Sequence, residues 1–317
     1  MTEPVFAAAA AGGPVPVLKP AIADWLGTAG LDPAAVRSFV AAALAEDLAG
    51  GVDVTTAATV PPGERGRADL VAREAGVVAG LPVAETVFSL VSAELDCAPL
   101  VADGDRVAPG QSLMTVSGPI SPILTAERTA LNLLCHLSGV ATLTRCWVDA
   151  VAGTAARIRD TRKTLPGMRA LEKYAVRCGG GVNHRMSLSD AALIKDNHVA
   201  AAGSVSAAFA AVRAHAPGLP LEVECDTLEQ VGEALAAGAD LILLDNFDLP
   251  AMAAAVRLAH GRALLEASGG LALASARRVA ETGVDYLAVG ALTHSAAALD
   301  IGLDLDRASS TSGARCY

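Results

Sequence analysis

The 317-residue chain has few aromatic residues and no excess of positive charge. Aromatic residues make up 3% of it, whereas 52% of its residues are hydrophobic. The core must therefore be built mainly from Ala, Val and Leu, which favours an α/β fold over an all-β sandwich. The net charge of -10 argues against nucleic acid or an anionic membrane as a partner, because both require a basic surface.

The sequence also lacks a CxxC pair and a long apolar run. Its six cysteines are scattered, so we expect reduced thiols in a cytoplasmic protein. No uninterrupted apolar segment reaches the roughly 20 residues that a membrane helix needs. Residues 1–22 are rich in Ala, Gly and Pro and have neither the basic start nor the apolar centre of a secretion signal. They are expected to form a disordered arm.

The first half of the chain mixes helical and strand patterns. A helix is predicted over residues 31–48, where apolar residues recur at helical spacing after Asp32 as the N-terminal cap. Short β-like runs follow between residues 67 and 120. A second long helix is predicted over residues 125–152, where Gly139 marks a break or a close contact. We predict an N-terminal α/β sandwich-like domain over residues 23–138.

The second half alternates strands with helices. Six β-like runs are each followed by a helix-like run, and they read ARIRD, ALIKD, LEVEC, LILLD, ALLEA and YLAVG. Such alternation implies parallel pairing and predicts an α/β barrel related to the TIM barrel, with six or seven strands, over residues 139–300. Residues 301–317 are expected to pack back on the N-terminal domain or to be disordered.

The residues at the ends of these strands are sorted by chemical type. Cations follow the first two strands, carboxylates end the third and fourth, and Ser or Gly residues end the last two. Because barrel active sites lie at the carboxyl ends of the strands, the sorting indicates a site for an anionic ligand. Backbone N–H groups of the late loops can bind a phosphate, and the residues concerned are Ser268, Gly269, Gly270 and Gly290.

Carboxylates at two neighbouring strand ends suggest a metal. Glu224 and Asp245 are candidate ligands of a Mg²⁺ ion that bridges a pyrophosphate, since a hard cation prefers oxygen ligands. Helix capping or pairing with a lysine is the structural alternative for both. Within LEVEC we expect Glu224 to face the cavity and Glu222 to point away from it.

The charge of the chain inverts locally. Residues 157–198 carry nine Lys or Arg against four Asp or Glu, whereas the rest of the chain carries 15 against 30. Arg169, Lys173 and Arg177 recur at a spacing of four, which predicts a solvated helix face. The other cations lie at strand ends or in the loop GGGVNHR, where they would repel one another without a bound anion. They are Arg162, Lys163, Arg185 and Lys195, with His184 beside them.

This region resembles a known family. DTRKTLPGMRALEKYAVRCGGGVNHRMSLSDAALIKDNH is similar to the central signature of the quinolinate phosphoribosyltransferases, and further matching segments are AEDLAGGVDVTT, ERTALNLLCHLSGVATLT, LEVECDTLEQ, LILLDNF, EASGG and YLAVGALTHS. The resemblance implies transfer of a phosphoribosyl group from phosphoribosyl pyrophosphate to quinolinate with loss of CO2. The products are nicotinate mononucleotide, for NAD biosynthesis, and pyrophosphate, and Mg²⁺ is the implied cofactor.

The resemblance also implies roles for individual residues. The quinolinate carboxylates would be bound by Arg162, His184, Arg185 and Lys195. Phosphoribosyl pyrophosphate would contact Lys163, with Thr161 beside it, as well as Glu224, Asp245, Ser268, Gly269, Gly270 and Gly290. Glu224 and Asp245 would hold Mg²⁺ directly or through water or pyrophosphate, and the catalytic group would comprise Lys163, Lys195, Glu224 and Asp245. Arg128 would come from a neighbouring subunit, which implies a homodimer or a higher oligomer.

Two other functions are compatible with the pattern, and a third is disfavoured by it. A Schiff-base aldolase would use Lys195, because a desolvated lysine at the end of a barrel strand can be a nucleophile. A related phosphoribosyltransferase would act on another pyridine carboxylate through similar charged contacts. A non-catalytic relative would have lost one of the charged residues, and none is missing.

Overall fold

The computed structural model describes residues 16–306, and the chain divides into two compact units. Of the described residues, the first unit comprises 16–142 and 297–306, and the second comprises 143–296. The boundary falls within one long helix, Ile120–Ala150. Within the described residues, no helix is both long enough and apolar enough to cross a membrane.

The first unit combines helices with a four-stranded antiparallel sheet of order β12-β1-β5-β3 and a two-stranded ladder of β2 and β4. Its helices are α1 Pro20–Thr28, α2 Pro33–Leu48, α3 Val54–Thr59, α4 Leu81–Val91 and α5 Ile120–Ala150. Its strands are β1 Arg65–Ala72, β2 Gly76–Val77, β3 Asp96–Pro99, β4 Arg106–Val107, β5 Ser112–Pro119 and β12 Ile301–Asp306.

Two local predictions for this unit are confirmed. The carboxylate of Asp32 caps α2 by accepting a hydrogen bond from the backbone N–H of Ala34 at 2.9 Å. Gly139 lies at a close contact inside α5, because a Cβ atom at this position would lie 2.0 Å from the carbonyl oxygen of Ala297. Only glycine allows the two backbone segments to approach this closely.

The two ends of the described chain are both ordered. The prediction of a disordered arm extends to residue 22, but α1 begins at Pro20 and Ile22 is buried. Leu18, Ile22 and Leu26 recur every four residues and are all buried, which gives the segment an apolar helical face. At the other end, β12 pairs antiparallel with β1. The remaining parts of both terminal predictions, residues 1–15 and 307–317, lie outside the described residues.

The second unit is an α/β barrel built on six parallel strands, as predicted. The strand order is β6-β11-β10-β9-β8-β7, and an isolated parallel bridge between Arg159 and Val182 extends it beyond β6. The strands are β6 Arg157–Arg159, β7 Ala192–Ile194, β8 Leu221–Cys225, β9 Leu241–Asp245, β10 Leu264–Ser268 and β11 Tyr286–Ala288. The helices are α6 Arg169–Cys178, α7 Asp196–Ala202, α8 Val205–His215, α9 Leu228–Ala236, α10 Leu249–Ala259, α11 Ala276–Ala280 and α12 Ala291–His294, with a 3₁₀ turn at Leu273–Ser275.

Side-chain caps fix where several of these helices begin. Ser204, Thr227 and Asp248 each accept a hydrogen bond from a backbone N–H in the first turn of the helix that follows. For Thr227 and Asp248 the helix starts within a few residues of the end of a strand. The short loops between strand and helix are therefore held at the carboxyl end of the sheet, where the predicted site residues lie.

Candidate active site

A cavity of about 420 Å³ lies at the carboxyl ends of the parallel strands in the second unit. Its lining includes nine residues that the sequence predicts for the site: Thr161, Arg162, Lys163, His184, Arg185, Lys195, Glu224, Asp245 and Ser268. Four further residues complete it: Leu193, Leu243, Glu266 and Ala288. A larger cavity of about 510 Å³ lies beside β7, but apart from Arg185 and His198 its lining is apolar. The smaller cavity therefore has the chemistry expected of a site for charged ligands.

The loop after β6 is held against the loop after β11. The hydroxyl of Thr161 accepts a hydrogen bond from the backbone N–H of Lys163 at 3.0 Å. Thr293 donates its hydroxyl proton to the carbonyl oxygen of Lys163 at 2.8 Å. Gly290 does not line the cavity but lies directly against this loop, since a Cβ atom there would be 2.9 Å from Cδ of Lys163.

A buried ion pair supports both cationic loops. The Lys173 side chain is fully buried, and its ammonium contacts the carboxylate of Asp160. It also donates a hydrogen bond to the carbonyl oxygen of His184 at 2.8 Å. Burial raises the pKa of Asp160 and lowers the pKa of Lys173, while the attraction between the two charges opposes both shifts. The pair fixes the end of β6 to the loop that carries His184.

The prediction that Arg169, Lys173 and Arg177 form a solvated helix face is therefore wrong for two of the three residues. Only Arg177 is exposed, and it donates to the side-chain oxygen of Asn183 at 2.8 Å. Arg169 is half-buried and donates to Thr164 and to the carbonyl oxygen of Met186, each at 3.0 Å. A charge spacing of four identifies one side of the helix, but it does not show that Asp160 lies opposite Lys173.

The ring nitrogens of His184 both face groups of the protein. Nδ1 accepts a hydrogen bond from the backbone N–H of Arg185 at 2.7 Å, so the proton of the neutral ring is on Nε2. Nε2 lies 2.8 Å from Oε2 of Glu222 and 3.7 Å from Oε1 of Glu266. Burial, together with the charges of Arg159 and Lys173, lowers the pKa of His184 to about 4. His184 is thus neutral at physiological pH.

Two buried glutamates, Glu222 and Glu266, lie beside His184 and were not among the predicted site residues; Glu266 is part of the cavity lining. Glu266 pairs with Arg159 at 2.6 Å, and burial raises the pKa of Glu222 and of Glu266 to about 7. Their carboxylate oxygens lie within 4.8 Å of Nε2 of His184, a grouping of residue types that can bind a metal. Because Nε2 carries the proton, it has no lone pair for a cation, and we assign no metal to this cluster.

The expectation that Glu222 points away from the site is wrong. Side chains two residues apart lie on the same side of a strand, and the pairs Leu193 with Lys195 and Leu243 with Asp245 line one cavity. Glu222 likewise faces the same interior as Glu224, one layer deeper, where it meets His184. The same alternation from Ser268 predicts that Glu266 points inward, so the signal was present in the sequence.

Two guanidinium groups at the cavity lack a carboxylate partner. In the described part of the chain, no carboxylate oxygen lies within 4.0 Å of Arg162 or Arg185, although Lys195 contacts Glu224. Arg185 is held by donating to the carbonyl oxygen of Ala191 at 3.0 Å. Burial and the neighbouring charge of Arg162 lower the pKa of Arg185. Such a pair of cations is stabilised by a bound anion.

Asp245 lies beside the loop that follows β10. Its register partner in the sheet is Ser268, and its Oδ2 accepts a hydrogen bond from Nδ2 of Asn246 at 2.7 Å. Gly269 and Gly270 do not line the cavity, but both have a positive φ, of 86° and 57°, which turns the loop sharply after Ser268. Glu224 and Asp245 are oxygen donors on adjacent strands and have the ligand type that Mg²⁺ prefers.

Arg128 is the one predicted site residue in the first unit. It lies on α5, within residues 120–142 of that unit. The residues that line the cavity all belong to the second unit.

Comparisons with known proteins match both units. The model of the quinolinate phosphoribosyl transferase N-terminal domain matches residues 53–138, and that of the C-terminal domain matches residues 140–304. The nicotinate-nucleotide pyrophosphorylase [carboxylating] of Mycobacterium leprae is 58% identical over 276 residues, which cover 86% of this chain and 97% of that protein.

Solved structures give the same result. NadC from Streptococcus pyogenes has a TM-score of 0.84 and 42% identity, covering 87% of this chain and 98% of its own. The nicotinate-nucleotide pyrophosphorylase from Francisella tularensis has a TM-score of 0.83 and 37% identity, covering 86% of this chain and 96% of its own. The similarity therefore extends over both units of the chain.

Proposed function

The chain belongs to the quinolinate phosphoribosyltransferase family, and we propose that the cavity at the barrel strand ends is where it converts quinolinate and phosphoribosyl pyrophosphate into nicotinate mononucleotide, pyrophosphate and CO2. One observation carries the assignment of the site. Arg162 and Arg185, which form no ion pair with any carboxylate in residues 16–306, line the same cavity as the carboxylates of Glu224 and Asp245. The two guanidinium groups suit a dianionic acid, and the two carboxylates suit a phosphorylated sugar with a metal.

Arg162 and Arg185 bind the two carboxylates of quinolinate. The planar guanidinium group is suited to paired hydrogen bonds with a carboxylate, and the two positive charges gain a counter-ion when the substrate enters. The neutral ring of His184 contributes by accepting the backbone N–H of Arg185, which fixes the residue that carries the guanidinium. Lys195 lies beside them, paired with Glu224.

Phosphoribosyl pyrophosphate lies across the other half of the cavity. Lys163 binds its pyrophosphate, with Thr161 holding the backbone of Lys163 in place. The loops of Ser268–Gly270 and Gly290 receive the 5-phosphate on backbone N–H groups. Glu224 and Asp245 face the ribose and would hold Mg²⁺, directly or through water or pyrophosphate; a bound ion would supply positive charge to the leaving pyrophosphate.

The chemistry requires fixed charges rather than a side-chain nucleophile. The pyridine nitrogen of quinolinate bonds to C1 of the ribose as the C1–O bond breaks and pyrophosphate leaves with the electron pair. Lys163 and Lys195 stabilise the charge that develops on the leaving group. The resulting pyridinium accepts the electrons of the bond to the adjacent carboxylate, CO2 departs, and a proton takes its place on the ring carbon.

Assembly and location complete the proposal. Arg128 reaches the cavity of a second copy, so that the functional unit is a homodimer in which each site uses residues of both chains. The described cysteines Cys97, Cys135, Cys146, Cys178 and Cys225 are all free thiols, which supports a reducing compartment and hence the cytoplasm.

Product analysis tests the activity. The purified chain is incubated with phosphoribosyl pyrophosphate, Mg²⁺ and either quinolinate or nicotinate, and CO2 and nicotinate mononucleotide are measured. We expect both products with quinolinate and no turnover with nicotinate, because one carboxylate satisfies only half of the cationic pair. Turnover with nicotinate alone would identify a related transferase, and a borohydride-stable adduct on Lys195 with a carbonyl substrate would identify an aldolase.

A further inference from the structure

Asn246 has an unusual backbone conformation for its position. Among the described non-glycine residues, only Ala49, Asn246 and His260 have a positive φ. Ala49 and His260 are the C-terminal caps of α2 and α10, where the left-handed conformation is common. Asn246 instead directly follows the last residue of β9, with a φ of 55°. The termination of a helix does not explain it.

The conformation places Asn246 between two parts of the cavity. Its side-chain Nδ2 donates to Oδ2 of Asp245 at 2.7 Å, and its backbone N–H donates to the carbonyl oxygen of Ser268 at 3.0 Å. Its Oδ1 lies against Gly269, where a Cβ atom would approach to 2.2 Å. One residue therefore contacts the Asp245 carboxylate and the first two residues of the turn after β10, Ser268 and Gly269.

We infer that Asn246 is a positioning residue that holds the Asp245 carboxylate and the Ser268–Gly270 loop in a fixed relation. The inference rests on the proposed function, in which Asp245 faces the ribose and Mg²⁺ and the loop receives the 5-phosphate. The amide of Asn246 occupies Oδ2 of Asp245, which directs Oδ1 toward the ligand. Phosphoribosyl pyrophosphate contacts both parts at once, so it alone depends on their relative placement.

Replacing Asn246 with glycine separates the side chain from the backbone conformation. Gly adopts a positive φ without strain, so N246G retains the turn and loses both side-chain contacts. We expect the Kd for phosphoribosyl pyrophosphate with Mg²⁺, measured by titration calorimetry without quinolinate, to rise about 10- to 100-fold, as for a lost hydrogen bond to a charged group. The Kd for quinolinate should change by less than about threefold, because the amide does not contact the arginine pair.

His260→Gly is the matched control. It replaces the residue of similar φ that caps α10, and we expect neither Kd to change. Unchanged binding of phosphoribosyl pyrophosphate by N246G would overturn the inference, and so would an equal loss for both ligands, which would mean a general collapse of the site. Failure of the wild-type chain to bind phosphoribosyl pyrophosphate would instead refute the proposed function, so the two failures are distinguishable.

Discussion

The ammonium of Lys173 donates a hydrogen bond to the backbone carbonyl oxygen of His184, 2.8 Å away, from a fully buried position. The same ammonium pairs with Asp160, whose carboxylate accepts the backbone N–H of His184 at 2.8 Å. Lys173 thus contacts no ligand in our proposal, yet it fixes the loop from which Arg185 extends. The charge of Lys173 therefore affects the site by holding the backbone of this loop in place.

Replacing Lys173 with methionine leaves the Asp160 carboxylate buried without its cation. We expect the free energy of unfolding, measured by urea titration, to fall by about 3–5 kcal/mol. Arg177→Met removes a charge from the exposed side of the same helix and should cost less than about 1 kcal/mol. Equal losses in the two variants would show that the buried pair has no special importance.

The stability of the chain should depend on pH through His184. Its pKa is about 4 in the folded chain and 6.5 for the unperturbed side chain, so only the unfolded chain takes up this proton between those values. The contribution of His184 is therefore present above pH 6.5 and is lost as the pH falls toward 4, by up to about 3 kcal/mol.

His184→Asn isolates this contribution. The difference in unfolding free energy between the wild type and the variant should shrink as the pH is lowered from 7 to about 4.5, as followed by chemical denaturation. Glu222 and Glu266 have raised pKa values of about 7, so they act in the opposite direction and gain protons on folding. A difference that grows on acidification would mean that His184 is charged in the folded chain.

Arg185→Ala removes half of the proposed carboxylate site. Steady-state kinetics should show a weaker apparent interaction with quinolinate by about 2–5 kcal/mol and an almost unchanged KM for phosphoribosyl pyrophosphate. Arg185→Lys keeps the charge but not the planar pair of donors, so its effect should be intermediate. Parallel increases in both KM values would argue against separate halves of the cavity.

Mixed subunits test the shared site. Arg128→Ala chains mixed and exchanged with Lys195→Ala chains form heterodimers with one intact site, so about a quarter of wild-type activity should return. As a control, a chain with both substitutions is exchanged with the wild type, and its heterodimers should have no intact site. Absence of rescue, with subunit exchange verified by native mass spectrometry, would refute the composite site.

Replacing two helical glycines with alanine should change the stability of the chain in opposite directions. Gly139→Ala places a methyl group 2.0 Å from the carbonyl oxygen of Ala297, and we expect a loss of about 1–3 kcal/mol or more in thermal unfolding. A Cβ atom added at Gly232 in α9 would meet no other heavy atom within 4 Å. Gly232→Ala should therefore stabilise the chain by about 0.5–1 kcal/mol. Stabilisation by both substitutions would contradict the close contact at Gly139.

The site was largely predictable because its residues occupy strand ends. In a parallel barrel all the strands end at one edge, so Lys195, Glu224 and Asp245 could be grouped without knowing a single distance. The helix cap at Asp32 and the close contact at Gly139 were similarly predictable from the local sequence. The inward direction of Glu222 and Glu266 was also predictable, because side chains alternate regularly along a strand.

The order of the elements, the barrel class and the residue types at each strand end follow from the sequence alone, since they depend on periodicity and on the chemistry of local segments. Which charges have partners depends on the tertiary structure. Lys173 is buried against Asp160, whereas Arg162 and Arg185 form no ion pair with a carboxylate of the described residues. The energy of a charge depends on burial and on groups distant in the chain, and neither is set by sequence spacing.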